Sequence, residues 1–147
     1  MKIAIIGCGY IGSALAVKLK LDGHYVTVTT RSPSKLPALE LISDKACLLH
    51  GHDVKGLTEL LHDQDAVVLC MAAASQDSYE QTYLGTANAL AEALDSVLKL
   101  KYIIYTGSTS VYGDHQGNVV DEETLPSAVS ANGRILIETE KVLLGLS

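Results

Sequence analysis

Apolar positions along the chain fall into short continuous runs, and the stretches between them carry a helical repeat. Residues 3–6 and 66–71 are nearly pure Ile, Val, Leu and Ala, as suits strands covered on both faces. Residues 25–30 are β-branched and aromatic, residues 46–49 allow a brief third strand, and 102–106 predict a fifth. Ile11, Leu15 and Leu19 recur at i, i+4 and i+8, predicting a helix whose core face they form and which Asp22-Gly23 closes. Two prolines restrict 32–43 to a short helix, and 57–62 predicts a further helical turn or two. A long helix is expected over 78–98, with Leu84, Ala87, Leu90, Ala91 and Leu94 at core spacing. Residues 113–126 read as a polar, acidic loop and 130–144 as a last helix. Strand and helix alternate throughout, which implies right-handed crossovers and a doubly wound α/β fold with a parallel sheet of order 3-2-1-4-5. Neither a repeat nor a linker divides the chain, so residues 1–147 are expected to form one domain.

Gly7-Cys8-Gly9-Tyr10-Ile11-Gly12 fits G-x-G-x-x-G between the first strand and the first helix, the setting of a dinucleotide-binding Rossmann turn. Gly7 permits the tight turn, Gly9 the approach of a pyrophosphate, and Gly12 close packing of helix on sheet. The amides of Tyr10 and Ile11 at the helix N-terminus then face the phosphates. An NAD or FAD site wants an acid at the end of the second strand, to bind a ribose 2′-hydroxyl. Thr29-Thr30-Arg31-Ser32 stands there instead, with no carboxylate before Glu40. Arg31 suits a 2′-phosphate, with Thr30 and Ser32 as hydroxyl donors, so NADP is expected over NAD.

Charge narrows the partners. The net charge of −6 over 147 residues argues against nucleic acid or an anionic membrane surface, and no apolar run reaches the length of a membrane span. Cys8, Cys47 and Cys70 lack C-x-x-C spacing and lie on or beside predicted strands, so they read as small buried hydrophobes in a reducing, cytoplasmic compartment. His50, His52 and Asp53 share a strand end, but without a third ligand nearby they argue for a loop, and no metal site is expected.

The segment Tyr105-Thr106-Gly107-Ser108-Thr109-Ser110-Val111-Tyr112-Gly113 resembles the S-[ST]-x-x-V-Y-G stretch of extended short-chain dehydrogenase/reductases, the NAD(P)-dependent epimerase/dehydratase family. Asp53-Val54 is similar to that family's adenine-contacting Asp segment, and Ala72-Ala73-Ala74 to its cofactor floor. Tyr83-Leu84-Gly85-Thr86-Ala87-Asn88 resembles its Y-x-x-G-T-x-N helix, and Asp121 to Pro126 its acidic-proline loop. The resemblance implies that Ser108 hydrogen-bonds a substrate oxygen, with Tyr112 close enough to line a pocket. It also implies a Tyr-x-x-x-Lys pair on the next helix, whose lysine lowers the phenol pKa for proton transfer. No Tyr in this chain precedes a Lys by four positions; Ser130 and Arg134 occupy the two places. Serine is a poor proton donor there and is also a preferred helix N-cap, whereas Arg134 keeps a charge able to hold a ribose.

Two functions follow. One is the cofactor part of an NADP-dependent epimerase/dehydratase or reductase acting on a small molecule such as a nucleotide sugar or another carbonyl compound. The other is an NADP(H)-binding sensor or scaffold without turnover. In the resembling family a sixth strand and a C-terminal lobe follow, so the edge of strand five and Ile135, Ile137 and Val142 on the last helix are expected to lack cover. Pairing with another copy, giving a homo-oligomer, is the expected remedy.

Overall fold

The computed structural model describes residues 1–76 and 78–146, and its five strands lie parallel in one sheet. β1 (Lys2–Ile6) is central; β2 (Tyr25–Thr30) and β3 (Lys45–Leu48) lie on one side, β4 (Ala66–Leu69) and β5 (Tyr102–Tyr105) on the other. The order is the expected 3-2-1-4-5, with Ile5 opposite Val28 in one neighbour and Val68 in the other. Since the chain moves outward from β1 to β3 and then restarts beyond β1 at β4, the loops leaving β1 and β4 diverge. A crevice opens between them at the C-terminal edge of the sheet.

Each sheet face carries its own core. Ile3, Ile5, Val26, Val28 and Val68 point to the side of α1 (Tyr10–Leu21) and α2 (Leu36–Glu40), where Ala16 and Leu39 meet them. Ala4, Ile6, Val67 and Leu69 point to α3 (Val54–Leu61) and α4 (Thr86–Leu94), against Leu57, Leu61, Leu90 and Ala93. Burial on both faces explains why the inner strands have no polar alternation. Each fully buried Leu or Val contributes about 1.5–3 kcal/mol. α5 (Ala131–Leu144) packs on α4, with Leu136 and Thr139 buried.

Two helices depart from the periodicity, and the short one expected over 32–43 is found. α1 approaches the sheet through small residues, Gly12 and Ala16, with Leu15 and Leu19 packing beside them. Ile11, expected in that core face, is 56% exposed, because a helix this close to the sheet turns its first-turn side chains toward the crevice. The stretch 78–98 is helical without a break over 79–94, with a π-turn at Gln81–Gly85 leading directly into α4, which ends at Leu94. The wider π-turn sets the positions before Thr86 out of phase with the α repeat, so Ala87 and Leu90 are buried but Leu84 only partly. α2 is preceded by a 3₁₀ turn, Pro33–Lys35, that curls the chain back under the end of β2. Among the described residues no helix covers the face of β5 that carries Tyr102 and Ile104, and both are more than half exposed.

The opposite edge of the sheet is tied by charge. The Lys2 amide donates to Asp65 Oδ2 at 2.7 Å, Lys99 Nζ lies 3.2 Å from Asp63 and 3.6 Å from Asp65, and Lys2 Nζ pairs with Asp63. Hydrogen bonds from Lys2 and Lys99 hold the Asp63 carboxyl below the usual range. Asp65 is held down first by the Lys2 amide and then by the charge of Lys99. A depressed folded-state value contributes stability above the unfolded carboxylate value of about 3.9, and that stability is lost as pH falls through the folded value. Asp65→Asn is therefore expected to lower the melting temperature at neutral pH and to flatten its decline below about pH 4. An acid profile unchanged in the variant would overturn this assignment.

Candidate functional site

The crevice is entered through the glycine turn. Gly7 has φ +84°, and a Cβ placed there would sit 2.6 Å from Met71 Cα and 2.7 Å from Met71 N, so only glycine fits. A Cβ on Gly12 would lie 3.0 Å from the Gly7 carbonyl oxygen and 3.2 Å from Ile5 Cγ2, which is how α1 seats against β1. Gly9 differs from both, since nothing in the protein lies within 4 Å of its Cβ direction. β2 fixes the turn from the side: the Cys8 amide donates to the Thr29 carbonyl at 3.0 Å and the Gly7 amide to Thr29 Oγ1 at 3.3 Å.

α1 begins with no side-chain cap and no acidic residue in its first turn, so its leading amides are free for an anion. Beyond them opens a cleft of about 680 Å³. Its floor is Ile6, Cys8, Cys70 and Met71; Thr29, Thr30, Arg31 and Lys35 form one wall. His50, Gly51 and His52 lie between β3 and α3, and Ser78, Gln81, Thr82 and Thr86 come from the π-turn and its surroundings. Thr106 and Gly107 close the end at β5. Arg31 reaches across the top of the sheet, its Nη2 donating to the Ala72 carbonyl at 3.4 Å. Burial pushes the Cys8 and Cys70 thiols up, which makes them floor rather than nucleophiles.

The residues expected to bind cofactor divide into two groups. Gly7, Gly9, Tyr10, Ile11, Thr30, Arg31 and Ala72 line the cleft. Gly12 supports it from behind, Ser32 shares its hydroxyl with Ser34 at 3.2 Å, and Ala73 lies just outside. Asp53 caps α3, accepting the Gly56 amide at 3.1 Å, and Val54 packs against the core, so neither reaches the lining. Lys35, His50, His52, Gln81 and Thr86 are lining residues that the motif did not single out. The proline at 33 was the available sign for Lys35, because its 3₁₀ turn returns the lysine to the crevice, with the Lys35 amide donating to the Ser32 carbonyl at 3.1 Å.

The residues expected to act on substrate gather beside the cleft, past Gly107. Ser108 caps the 3₁₀ turn Thr109–Tyr112, its hydroxyl accepting the Ser110 amide at 3.3 Å and lying 2.9 Å from Ser110 Oγ. Tyr112 is half-buried, and its carbonyl accepts from Ser127 Oγ. Ser130 caps α5 by accepting the Gly133 amide at 3.1 Å. A Cβ on Gly133 would lie 2.4 Å from Ala128 Cβ and 3.3 Å from the Ser110 carbonyl oxygen; glycine there lets α5 rest on the Ser108 turn. Arg134 is exposed; its amide donates to the Ser130 carbonyl at 3.1 Å, and its guanidinium joins no ion pair among the described residues. None of Ser108, Tyr112, Ser130 and Arg134 lines the cleft itself.

Beneath Gly107 lies a partly buried polar cluster of a different kind. Glu140 Oε1 is 3.0 Å from where a Gly107 Cβ would be, and burial raises its carboxyl. The Tyr105 hydroxyl is buried without a partner, and burial, together with Tyr83, Glu140 and Tyr79, pushes its phenol far up. Tyr79 and Tyr83, four apart, pack ring to ring at 4.7 Å. Among the described residues no three of His, Cys, Asp and Glu converge on a metal geometry, and no helix is long and apolar enough to cross a membrane.

A parallel sheet of order 3-2-1-4-5, with a glycine turn opening into a cleft at its switch point, defines a Rossmann dinucleotide-binding fold. Residues 3–133 match the NAD dependent epimerase/dehydratase family, and the chain belongs to that family. It is 35% identical over 153 aligned residues to the protein YeeZ of Escherichia coli K12, an alignment covering 99% of this chain and 54% of YeeZ. The chain thus spans about half the length of the curated relatives it matches. Among solved structures it is similar to a UDP-glucuronic acid 4-epimerase from Bacillus cereus in complex with UDP-4-deoxy-4-fluoro-glucuronic acid and NAD. That match has a TM-score of 0.79 and 26% identity, over 99% of this chain and 52% of the other. A UDP-glucose 4-epimerase from Bifidobacterium longum shares the fold at TM-score 0.83 and 20% identity, over 99% and 49% of the two chains.

The free amides, the open space over Gly9 and the cationic wall all fit a dinucleotide. Because a Cβ on Gly9 would meet no protein atom, Gly9→Ala is expected to leave the melting temperature nearly unchanged. It should weaken dinucleotide binding roughly five- to 150-fold, the range of a 1–3 kcal/mol overpacking cost. Equal affinity in a folded variant, measured by nucleotide fluorescence, would place the phosphates elsewhere.

Proposed function

We propose that this chain is the NADP-binding part of an epimerase/dehydratase-type oxidoreductase acting on a small hydroxyl or carbonyl compound. The observation that carries this reading is Arg31, which stands where a ribose-binding acid would be and extends over the cleft without a carboxylate partner among the described residues. Bound there, the nicotinamide would supply a hydride donor or acceptor. Gly7 and the first turn of α1 would hold the pyrophosphate, and Arg31, with Thr30 beside it, the 2′-phosphate. Ser108, one residue beyond the lining Gly107, would orient the substrate oxygen. A similar structure, the UDP-glucuronic acid 4-epimerase of Bacillus cereus, is in complex with UDP-4-deoxy-4-fluoro-glucuronic acid and NAD, and a nucleotide sugar is the substrate class proposed for the whole protein.

A second reading, binding without turnover, is favoured by one specific observation. Ser130 and Arg134 hold the positions of the family's proton-transfer pair, yet the Ser130 hydroxyl is committed to capping α5 and neither residue reaches the cleft. Cofactor oxidation with any of a panel of sugars, aldehydes and ketones would eliminate it.

We further propose a cytoplasmic homo-oligomer. The open edge of β5 and the exposed Tyr102 and Ile104 support pairing with a second copy. A monomer by light scattering at high concentration would refute the pairing.

The test of cofactor choice is a parallel titration with NADPH and NADH. NADPH is expected to bind more tightly, and Arg31→Ala to reduce that preference about 10- to 100-fold, as loss of hydrogen bonds to a charged group implies. Equal binding of both nucleotides by the unaltered protein would remove the NADP assignment.

A further inference from the structure

Among the described residues, one buried hydroxyl in the wall of the cleft has no partner. Thr86, at the start of α4, is 2% exposed, and its side chain makes no hydrogen bond. Elsewhere in the lining such groups are engaged. Thr29 Oγ1 accepts the Gly7 amide and Thr30 Oγ1 the Ser32 amide, while Thr106 Oγ1 donates to the Leu69 carbonyl and Ser78 Oγ to the Ser75 carbonyl. Thr82, one turn earlier, is only half-buried and Tyr10 is exposed, so water can serve both. The Thr86 oxygen is not sealed in the interior, since the fully enclosed unpartnered side-chain atoms are Gln64 Oε1 and the Tyr105 hydroxyl. The open sliver of Thr86 therefore includes its oxygen, and it faces the cleft. Gly51 keeps it uncovered: a Cβ there would come within 2.3 Å of Thr86 Oγ1 and 3.0 Å of its Cγ2.

An unpartnered buried hydroxyl destabilises a fold, and in a cleft a ligand is what can satisfy it. Its position says which part of the ligand. In a fold of this strand order the pyrophosphate lies at the N-terminus of α1 and the adenosine ribose at the end of β2, so the base continues toward the β3 side. There the lining is Leu49, His50, Gly51 and His52, and Thr86 Oγ1 abuts Gly51. Asp53 and Val54, which the family resemblance assigns to adenine, are taken up by the cap of α3 and by the core. Resting on the dinucleotide-binding reading above, but not on the choice between NADP and NAD, we propose that Thr86 is a binding residue for the adenine base and reads its edge in place of Asp53. Adenine presents an amino donor at N6 and acceptors at its ring nitrogens, and a hydroxyl can meet either.

Two consequences separate this role from a structural one. Exchanging the hydroxyl for a methyl group removes an unsatisfied polar atom, so Thr86→Val is expected to melt no lower than the unaltered protein. The same exchange takes a hydrogen bond from the base and from no other part of the ligand. A threonine kept for the fold would behave the other way, losing stability and leaving base selectivity alone.

The experiment is NMR titration of the full chain with ADP and with CDP, which share the ribose and the diphosphate and differ only in the base. The same titrations are run on Thr86→Val and Thr86→Ser, with melting curves for all three proteins and a titration of the unaltered protein with NADPH. The ratio of the ADP and CDP dissociation constants isolates the base. The unaltered protein is expected to prefer ADP, and Thr86→Val to reduce that preference about 2- to 13-fold with CDP affinity unchanged, the loss of one neutral hydrogen bond. Thr86→Ser, which keeps the hydroxyl, is expected to restore most of the preference. The proposal is overturned by equal binding of ADP and CDP to the unaltered protein, or by NADPH binding without ADP binding. It is overturned equally by a preference that survives in Thr86→Val, by a parallel loss of both affinities, by a Thr86→Ser variant no better than Thr86→Val, or by a lowered melting temperature in Thr86→Val. Each of these leaves the dinucleotide reading standing. Binding of none of the three nucleotides to the unaltered protein removes the dinucleotide reading and this one with it.

Discussion

The site depends on one steric contact. Gly7 turns the chain out of the central strand so close to the Met71 backbone that no side chain could be accommodated, and that contact decides where everything else in the cleft can stand. It brings the ends of β1 and β4 together at the point where their loops part, and it aims α1 so that its unpaired amides look along the crevice. Gly12 then allows the helix to lie against Ile5. The cost of a left-handed residue in the first strand's exit is met by two hydrogen bonds from the turn to Thr29, which is itself held in the buried face of β2.

Electrostatics separates the two edges of the sheet. At the N-terminal edge Lys2, Lys99, Asp63 and Asp65 neutralise one another in a network that links the starts of β1 and β4 with the loop entering β5. At the C-terminal edge Arg31 and Lys35 join no ion pair among the described residues. Each wall of the crevice thus combines backbone donors, which suit any phosphate, with a smaller number of side chains able to tell one dinucleotide from another. The segment carrying Ser108 lies just beyond, attached through Gly107 on one side and clasped by α5 through Gly133 on the other.

The strand order and the glycine turn were legible because they rest on local chemistry: apolar runs that need two covered faces, and glycines in a strand-to-helix setting. Ser130 as a cap was legible for the same reason, since serine before a helical repeat satisfies amides that nothing else can. What escaped reading depends on how elements meet. Ile11 has ideal core spacing, but Gly12 and Ala16 bring the helix too near the sheet for a large side chain at that angle. Lys35, His50 and His52 belong to loops with no signature of their own, and only the crossover geometry brings them to one cleft. The tyrosines at 79, 83 and 105 carry no motif as a set; their cluster with Glu140 exists because α5 crosses the end of β5.

The π-turn at Gln81–Gly85 has a consequence for how such a domain can evolve. Its wide turn holds one residue more than an α-helix would need, and Ser78, Gln81 and Thr82 face the cleft from within or just before it. Deleting a single residue there would let the segment close up as ordinary α-helix, leaving α4 and its buried Leu90 in place. The residues upstream would keep their phase, because the wide turn already absorbs the extra residue, and only Gln81 and Thr82 inside the turn would be re-aimed relative to the cleft. The fold could absorb such an indel while that part of the wall was exchanged in one step, a route to new ligands that point substitutions would reach only through many intermediates.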